Sequence, residues 1–193
     1  MKRTLLLVGV LCLVLSVAVS GQGLKGKMLI SGYGGYTIGM GDVFDDIETP
    51  NFKASNSAGI NFGGIFHYGL NEKMMIGGEL GLQSYKGEVE YIGTTILGSG
   101  SSSDSETKLN FAANGLYLLN ETEKNAFFLT GGIGFYDYGS TEIGFFGGIL
   151  YRWAVSPTVF VFAMPRIHLI LADSTFELLQ ISGGVQIPIG PKK

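Results

Sequence analysis

SAGINFGGIFHY, residues Ser57 to Tyr68, places Ala58, Ile60, Phe62, Phe66 and Tyr68 on one side of an extended chain and Asn61 and His67 on the other. A period of two is the mark of a β-strand with chemically different faces. The same alternation recurs on both sides of this stretch. Downstream, Lys73 to Lys86 sets Ile76, Leu80 and Leu82 against Glu79 and Gln83. Thr107 to Leu119 sets Leu109, Phe111, Ala113 and Tyr117 against Lys108, Asn110 and Asn114. Asn125 to Tyr138 opposes Phe127, Leu129, Ile133 and Phe135 to Thr130, Gly132 and Gly134, and Thr141 to Val155 opposes Ile143, Phe145, Ile149, Tyr151 and Trp153 to Glu142, Gly144, Gly148 and Arg152. Thr158 to Leu171 carries Val159, Val161, Ile167 and Leu169 opposite Arg166 and His168. Phe176 to Ile189 carries Leu179, Ile181, Val185 and Ile187 opposite Gln180, Ser182 and Gln186, and upstream Lys27 to Met40 completes the set.

Eight segments of this length predict an all-β fold, an eight-stranded antiparallel up-and-down transmembrane β-barrel. Each is long enough to cross a bilayer core, which takes roughly nine to eleven tilted residues. The connections agree. GLNEK (69–73) and NETEK (120–124) are tight turns of one type, and DYGSTE, SPT and ADST join the later segments. The stretches 41–54 and 87–106 are expected to be long loops on the opposite, outer side. Pro165, inside the seventh segment, cannot donate to a ladder and predicts a bulge or an unpaired position.

Composition points the same way. The 193 residues include 31 glycines, about 16% against a usual ~7%, with 46% hydrophobic and only 15% charged residues. Mean hydropathy is +0.30, yet beyond the first two dozen residues no purely apolar run is long enough for a membrane helix. Glycine on the inner wall of a narrow barrel leaves room for larger neighbours. Lys2 and Arg3, the apolar run TLLLVGVLCLVLSVAV and small residues before Gly21 read as a cleaved signal peptide over 1–20, leaving a barrel domain over 21–193. Cys12, the single cysteine, falls in that leader behind Leu11, a poor context for lipidation, so the exported chain has no disulfide or thiolate metal site. Losing Lys2 and Arg3 leaves 11 Lys+Arg against 16 Asp+Glu. A formal charge of about −5 does not suit a nucleic-acid partner.

Chemistry-bearing groups are few. His67 and His168 show no metal-ligand or triad spacing, and GYGGY and GSGSSS are not followed by a phosphate-loop lysine. No catalytic, cofactor or metal residues are expected. Asp42, Asp45, Asp46 and Glu48 form an acidic stretch that reads as a solvated outer loop, a divalent-cation site being the alternative. The alternation places Glu79, Arg152, Arg166 and His168 inside, as a candidate polar network of the lumen. Since a buried charge needs a partner, Glu79 is expected to pair with Arg166 or Arg152. An eight-stranded interior is filled by side chains, which argues against bulk transport. Tyr68, Tyr117, Tyr151 and Trp153 fall near the tight-turn ends, and Phe135, Phe145 and Phe176 near the other ends, as two interfacial girdles would.

Together with GGYTIGMGD (34–42), GGIFHYGLNEKMMIGGELGLQSY (63–85) and the closing LLQISGGVQIPIG (178–190), this layout resembles the small outer membrane β-barrel family, the OmpA/OmpX-like porin-type domains. The resemblance is one of pattern and covers nearly the whole chain after the leader. It implies a bacterial outer membrane location and recognition by the barrel assembly machinery. Members end in an aromatic residue, whereas this sequence ends IPIGPKK, which puts the assembly signal upstream, at Val185 to Ile189. The peptidoglycan-binding domain of larger relatives is not implied. The expected function is that of a non-enzymatic outer membrane barrel with a structural or surface-interaction role, in contact with outer membrane lipids and lipopolysaccharide. The alternatives are a narrow gated pore for small ions and a soluble periplasmic, lipocalin-like barrel; a lipid-modifying membrane enzyme would need acid and serine partners that neither histidine has in sequence.

Overall fold

The computed structural model describes residues 23–40, 47–49, 52–91, 100–137, 141–172 and 176–189. The leader with Cys12, and Asp42, Asp45 and Asp46, lie outside these residues. Nine strands form a single antiparallel sheet: β1 (Met28–Met40), β2 (Ile47–Thr49), β3 (Phe52–Gly69), β4 (Met74–Tyr91), β5 (Gly100–Glu121), β6 (Asn125–Asp137), β7 (Thr141–Ser156), β8 (Val159–Leu171) and β9 (Phe176–Ile189). Each long strand pairs with the next, and β1 pairs with both β3 and β9, so that Tyr33 lies between Gly63 and Gly184. The eight long strands thus close into an up-and-down barrel. Closure leaves no sheet edge within the barrel wall, because each strand has a neighbour on either side.

The faces follow the alternation. Ile60, Phe62, Phe66 and Tyr68 are exposed on the outer surface, while Asn61, Ile65 and His67 are buried inside. All eight strands repeat this, with Ile30, Leu80, Phe111, Phe135, Phe145, Ile167 and Ile181 outward and Ser31, Glu79, Asn114, Thr130, Arg152, Arg166 and Gln180 inward. Inward glycine makes space for large neighbours: a Cβ at Gly63 or Gly81 would stand 2.6 Å from Tyr33 Oη, and one at Gly132 2.5 Å from the Phe146 ring.

Tight turns close one end. Asn71 Oδ1 accepts from the backbone N–H of Lys73 and Met74, and Thr122 N–H donates to the Asn125 carbonyl across the other turn. Before β1, Lys27 N–H bonds the Leu24 carbonyl across a turn in which Gly26 takes φ +72°, as the third residue of a type II turn requires. That turn tucks Leu24 under the barrel, where it is buried with Leu29, Met75, Leu116, Phe128, Leu150 and Met164.

Two departures from the sequence reading stand out. First, β3, β4 and β5 run past the expected boundaries at Ser57, Lys86 and Thr107, reaching Phe52, Tyr91 and Gly100. Much of the stretches 41–54 and 87–106, expected as loops, is therefore strand. Second, the short β2 pairs with β3 through Glu48↔Lys53, making a ninth strand outside the barrel wall. Alternation of hydropathy fades where both faces of a strand are polar, but the backbone ladder continues, so periodicity alone ended these strands too early. At Pro165, of the two expected outcomes, an unpaired position forms rather than a bulge. The β7–β8 ladder keeps its register on either side and omits pairs for Ile149 and Leu150, so the missing donor leaves an unpaired stretch. The register shifts occur elsewhere, between Ser57/Ile60, Leu118/Asn120 and Ala154/Ser156.

Candidate functional site

Glu79 sits on the inner wall of β4, four strands from Arg166 on β8, and the two meet across the lumen. Arg166 Nη1 donates to Glu79 Oε2 and Nη2 to Oε1, both at 2.6 Å. The same carboxylate accepts from Tyr33 Oη at 2.7 Å and from Asn114 Nδ2 at 3.0 Å. Four donors saturate the acceptor capacity of the carboxylate. The fork-to-fork geometry suits a planar guanidinium.

The network extends sideways. Arg166 Nη2 also donates to Gln180 Oε1 (3.0 Å), and Gln180 Nε2 donates to Asn61 Oδ1 (3.0 Å) and Ser182 Oγ (2.9 Å). Ser182 Oγ donates to Asn61 Oδ1, and Asn61 Nδ2 to Thr37 Oγ1. Side chains from six strands are thereby tied together. The Arg166 guanidinium also lies 4.9 Å from the Phe146 ring centroid, and the other face of this region holds His168, stacked on Phe146 at 5.2 Å with Nδ1 2.8 Å from Tyr136 Oη.

Arg152 belongs to a separate cluster nearer the tight-turn end. Its Nη2 donates to Glu121 Oε1 and its Nη1 to Gln186 Oε1, each at 3.2 Å, and Gln186 Nε2 donates to Ser31 Oγ. Its guanidinium lies over the rings of Phe160 (4.5 Å) and Phe128 (5.0 Å). On β7 and β8 the buried Leu150 and Met164 separate this layer from that of Arg166. Of the four sequence-derived positions, Glu79 and Arg166 are thus in direct contact, His168 joins them through Phe146, and Arg152 stands apart with Glu121.

Tyr33, Gln180 and Glu121 were not singled out from sequence. Gln180, like Asn61 and Asn114, was marked only by its place on the polar face, and Glu121 was hidden in the NETEK turn. His67 is buried on the inner wall beside Gly77. Among the described residues, no group of three His, Cys, Asp or Glu side chains is placed to hold a metal ion.

A second feature lies at the end opposite the tight turns. Ladder pairing of β1 with β3 ends at Thr37↔Gly59, and pairing of β5 with β6 ends at Asn110↔Tyr136. Beyond these points β3, β4 and β5 continue together, with Phe52↔Tyr91 and Tyr91↔Gly100 as the outermost pairs. A four-stranded sheet, β2–β3–β4–β5, therefore projects from the barrel rim.

No protein-family model and no curated protein sequence matches the chain. Among solved structures, the fold is similar to that of the outer membrane protein OprG from Pseudomonas aeruginosa, at 14% identity over 89% of this chain and 100% of that one, with a TM-score of 0.50. Looser likenesses join the N-terminal β-barrel domain of Pseudomonas aeruginosa OprF (12% identity, 87% of this chain and 100% of that one, TM-score 0.45) and Ail of Yersinia pestis (12%, 84% and 99%, TM-score 0.44). At such identities the likeness is one of architecture: the chain has the closed eight-stranded barrel fold that OprG has.

Proposed function

We propose that this protein is a non-enzymatic barrel of the bacterial outer membrane, which anchors a projecting β-sheet outside the bilayer for contact with surface partners. The observation that carries the reading is a reversal of polarity along single strands. On the outer face of β4, Ile76, Leu80 and Leu82 give way to Ser84, and on that of β5, Phe111 and Leu109 give way to Thr107, Ser84 and Thr107 being ladder partners; the sequence of the two strands beyond this level, 86–90 and 101–106, is rich in charged and hydroxyl residues. An apolar band that stops at a common level on neighbouring strands fits the boundary of a hydrocarbon layer. The band itself runs round all eight strands, with exposures of 50% at Ile30, 56% at Phe111 and 52% at Ile167. Water-soluble monomers seldom expose a continuous apolar surface of this kind.

Outward Tyr68, Tyr151 and Trp153 near the tight turns fit a second interface, and Tyr151 and Trp153 pack with ring centroids 4.9 Å apart. Outer membrane lipids and lipopolysaccharide are the surroundings this surface suits, with delivery by the barrel assembly machinery. A lipocalin-like soluble barrel requires the reverse polarity. The narrow-pore alternative meets an interior occupied by Tyr33, Phe128, Phe162, Met164 and Arg166; planar-bilayer currents that change on Glu79→Ala would favour it.

Cys12 in the leader is the only native cysteine, so an introduced one reports its own location. Ser103→Cys is expected to react with a membrane-impermeant maleimide on intact cells. Glu123→Cys, in a tight turn, is expected to react only after the outer membrane is permeabilised. Unlabelled Ser103→Cys, or protein recovered in the soluble periplasmic fraction, would overturn the reading.

A further inference from the structure

Every buried side chain among the described residues belongs to a strand of the barrel wall except one, Leu24. It is carried into the lumen by Gly23–Lys27, the segment ahead of β1, which crosses the β3–β4 turn at the tight-turn end. Backbone hydrogen bonds seat this strap: Leu24 N–H donates to the Glu72 carbonyl (3.2 Å), Gly26 N–H to that of Gly69 and Gly69 N–H to that of Lys27 (both 2.8 Å). The wall is cut away to receive it, since a Cβ at Gly69 would overlap the Leu24 carbonyl oxygen. We propose that Gly23–Lys27 is a displaceable plug: it swings off the β3–β4 turn while the wall stays closed, and its release admits water to the lumen from the tight-turn end alone.

The two ends of the lumen are closed in different ways. At the outer end the closure is part of the wall: Tyr136 of β6, Ile170 of β8 and Leu178 of β9 pack together, and Tyr136 Oη is fixed to His168 Nδ1. These side chains leave only if ladder-bonded strands part. At the tight-turn end Leu24 shares one apolar cluster with Leu29, Met75, Leu116, Phe128 and Met164. Lifting it breaks no ladder between wall strands, because β1 begins at Met28, after the strap.

Little holds the strap besides that one leucine. Lys25, Gly26 and Lys27 are exposed, so water replaces the backbone partners on release. Gly26, at φ +72°, sets the left-handed turn that aims Leu24 inward. Segments with few buried contacts and solvent-exposed backbone bonds open locally, well below the cost of global unfolding. Release exposes the apolar layer of Met75, Leu116 and Phe128 to water and leaves the outer closure in place. This device is built into the barrel and operates whichever way the projecting sheet faces.

Met75, buried and paired with Gly69, serves as the reporter. The test uses the protein without its leader in bilayer nanodiscs, where both mouths meet solvent and Met75→Cys is the only thiol. Labelling by a small cationic methanethiosulfonate is followed by mass. When the strap recloses faster than the thiol reacts, the rate measures the open population. Leu24→Ala is expected to raise the rate about a hundredfold, through loss of the buried side chain. At Gly26 a new methyl has nothing within 4 Å, so Gly26→Ala strains the turn alone and is expected to raise the rate about tenfold. Gly26→Asn, which tolerates the left-handed conformation, is expected to stay within about twofold of the parent. Leu178→Ala, at the outer closure, is expected to leave the rate unchanged. Each variant is checked for the unboiled-gel shift of a closed barrel, and if Leu24→Ala loses it, Gly26→Ala decides. Gly26→Ala labelled no faster than the parent would overturn the proposal. So would Leu178→Ala labelled as fast as the strap variants, since water would then enter through the outer end or through a loosened wall.

Discussion

Two buried ion pairs share the lumen, and the same two residue types do different work in each. Glu79 and Arg166 meet at 2.6 Å with side chains 3% and 0% exposed; Glu121 and Arg152 meet at 3.2 Å with side chains 14% and 7% exposed. Four donors converge on Glu79, whereas among the described residues one side-chain donor reaches Glu121. The central pair is dry and its carboxylate has every acceptor site filled, so its members depend on each other. The pair at the tight-turn end is less deeply buried, and Arg152 has a second attachment in the rings of Phe128 and Phe160. Depth in the barrel therefore decides whether an ion pair acts as a cross-brace or as a lid.

Removing one member of the central pair is the largest perturbation this comparison suggests. Glu79→Ala leaves Arg166 charged and buried, and Arg166→Ala does the same to Glu79; each is expected to cost about 3–5 kcal/mol. Urea titration of the protein refolded into liposomes, read by Trp153 fluorescence, measures this. A double-mutant cycle sharpens it: the coupling of Glu79 with Arg166 is expected to be about 2–3 kcal/mol, and that of Glu121 with Arg152 under about 0.5 kcal/mol. Equal couplings would abolish the distinction between brace and lid.

Much of this arrangement is legible in the sequence, and the limit of legibility has a physical cause. Period-two alternation assigns Glu79, Arg152, Arg166 and His168 to the inner wall, because a one-residue slip would turn Ile60, Phe62 and Phe66 inward together. Alternation carries no information about axial stagger, however. From sequence alone Arg152 and Arg166 are equivalent partners for Glu79; closure of the barrel puts Arg166 across the lumen and Arg152 one layer lower, beside Glu121. The projecting sheet was missed for a related reason. From Lys86 to Glu90 and from Ser101 to Glu106 hydropathy has little contrast, and the pairing of backbone groups leaves no trace in side-chain polarity.

Glycine provides a perturbation of intermediate size, again by comparing positions. Gly81 faces inward, and a methyl group there would stand 2.6 Å from Tyr33 Oη and in overlap with the Asn110 amide. Tyr33 is a donor to Glu79, so displacement of its hydroxyl loosens the central carboxylate as well. Gly81→Ala is expected to cost about 1–3 kcal/mol. At Gly32, on the outer face of β1, an added Cβ has nothing within 4 Å. Gly32→Ala is expected to be neutral or to stabilise by about 0.5 kcal/mol through the unfolded chain. The same liposome titration separates the two, and equal losses would mean that glycine serves strand curvature rather than space around Tyr33.

The smallest effects are expected in the pair near the tight turns, where they test the distinction most finely. Glu121→Ala removes a partly hydrated contact of the kind worth up to about 1 kcal/mol, and salt screens such contacts. Its cost is therefore expected to shrink between 50 mM and 500 mM sodium chloride. Arg152→Ala removes in addition the stacking of the guanidinium on Phe160 and Phe128, worth about 0.5–1 kcal/mol, and the donor to Gln186. That part is shielded by the rings and should persist at high salt. Arg152→Ala is thus expected to destabilise more than Glu121→Ala at both salt concentrations, with the gap between them unchanged. If instead both losses vanish together at high salt, Arg152 is held by Glu121 alone and the aromatic seat contributes nothing. Were both losses to stay fixed, the pair would be as dry as Glu79 and Arg166, and depth would not be what sets the two apart.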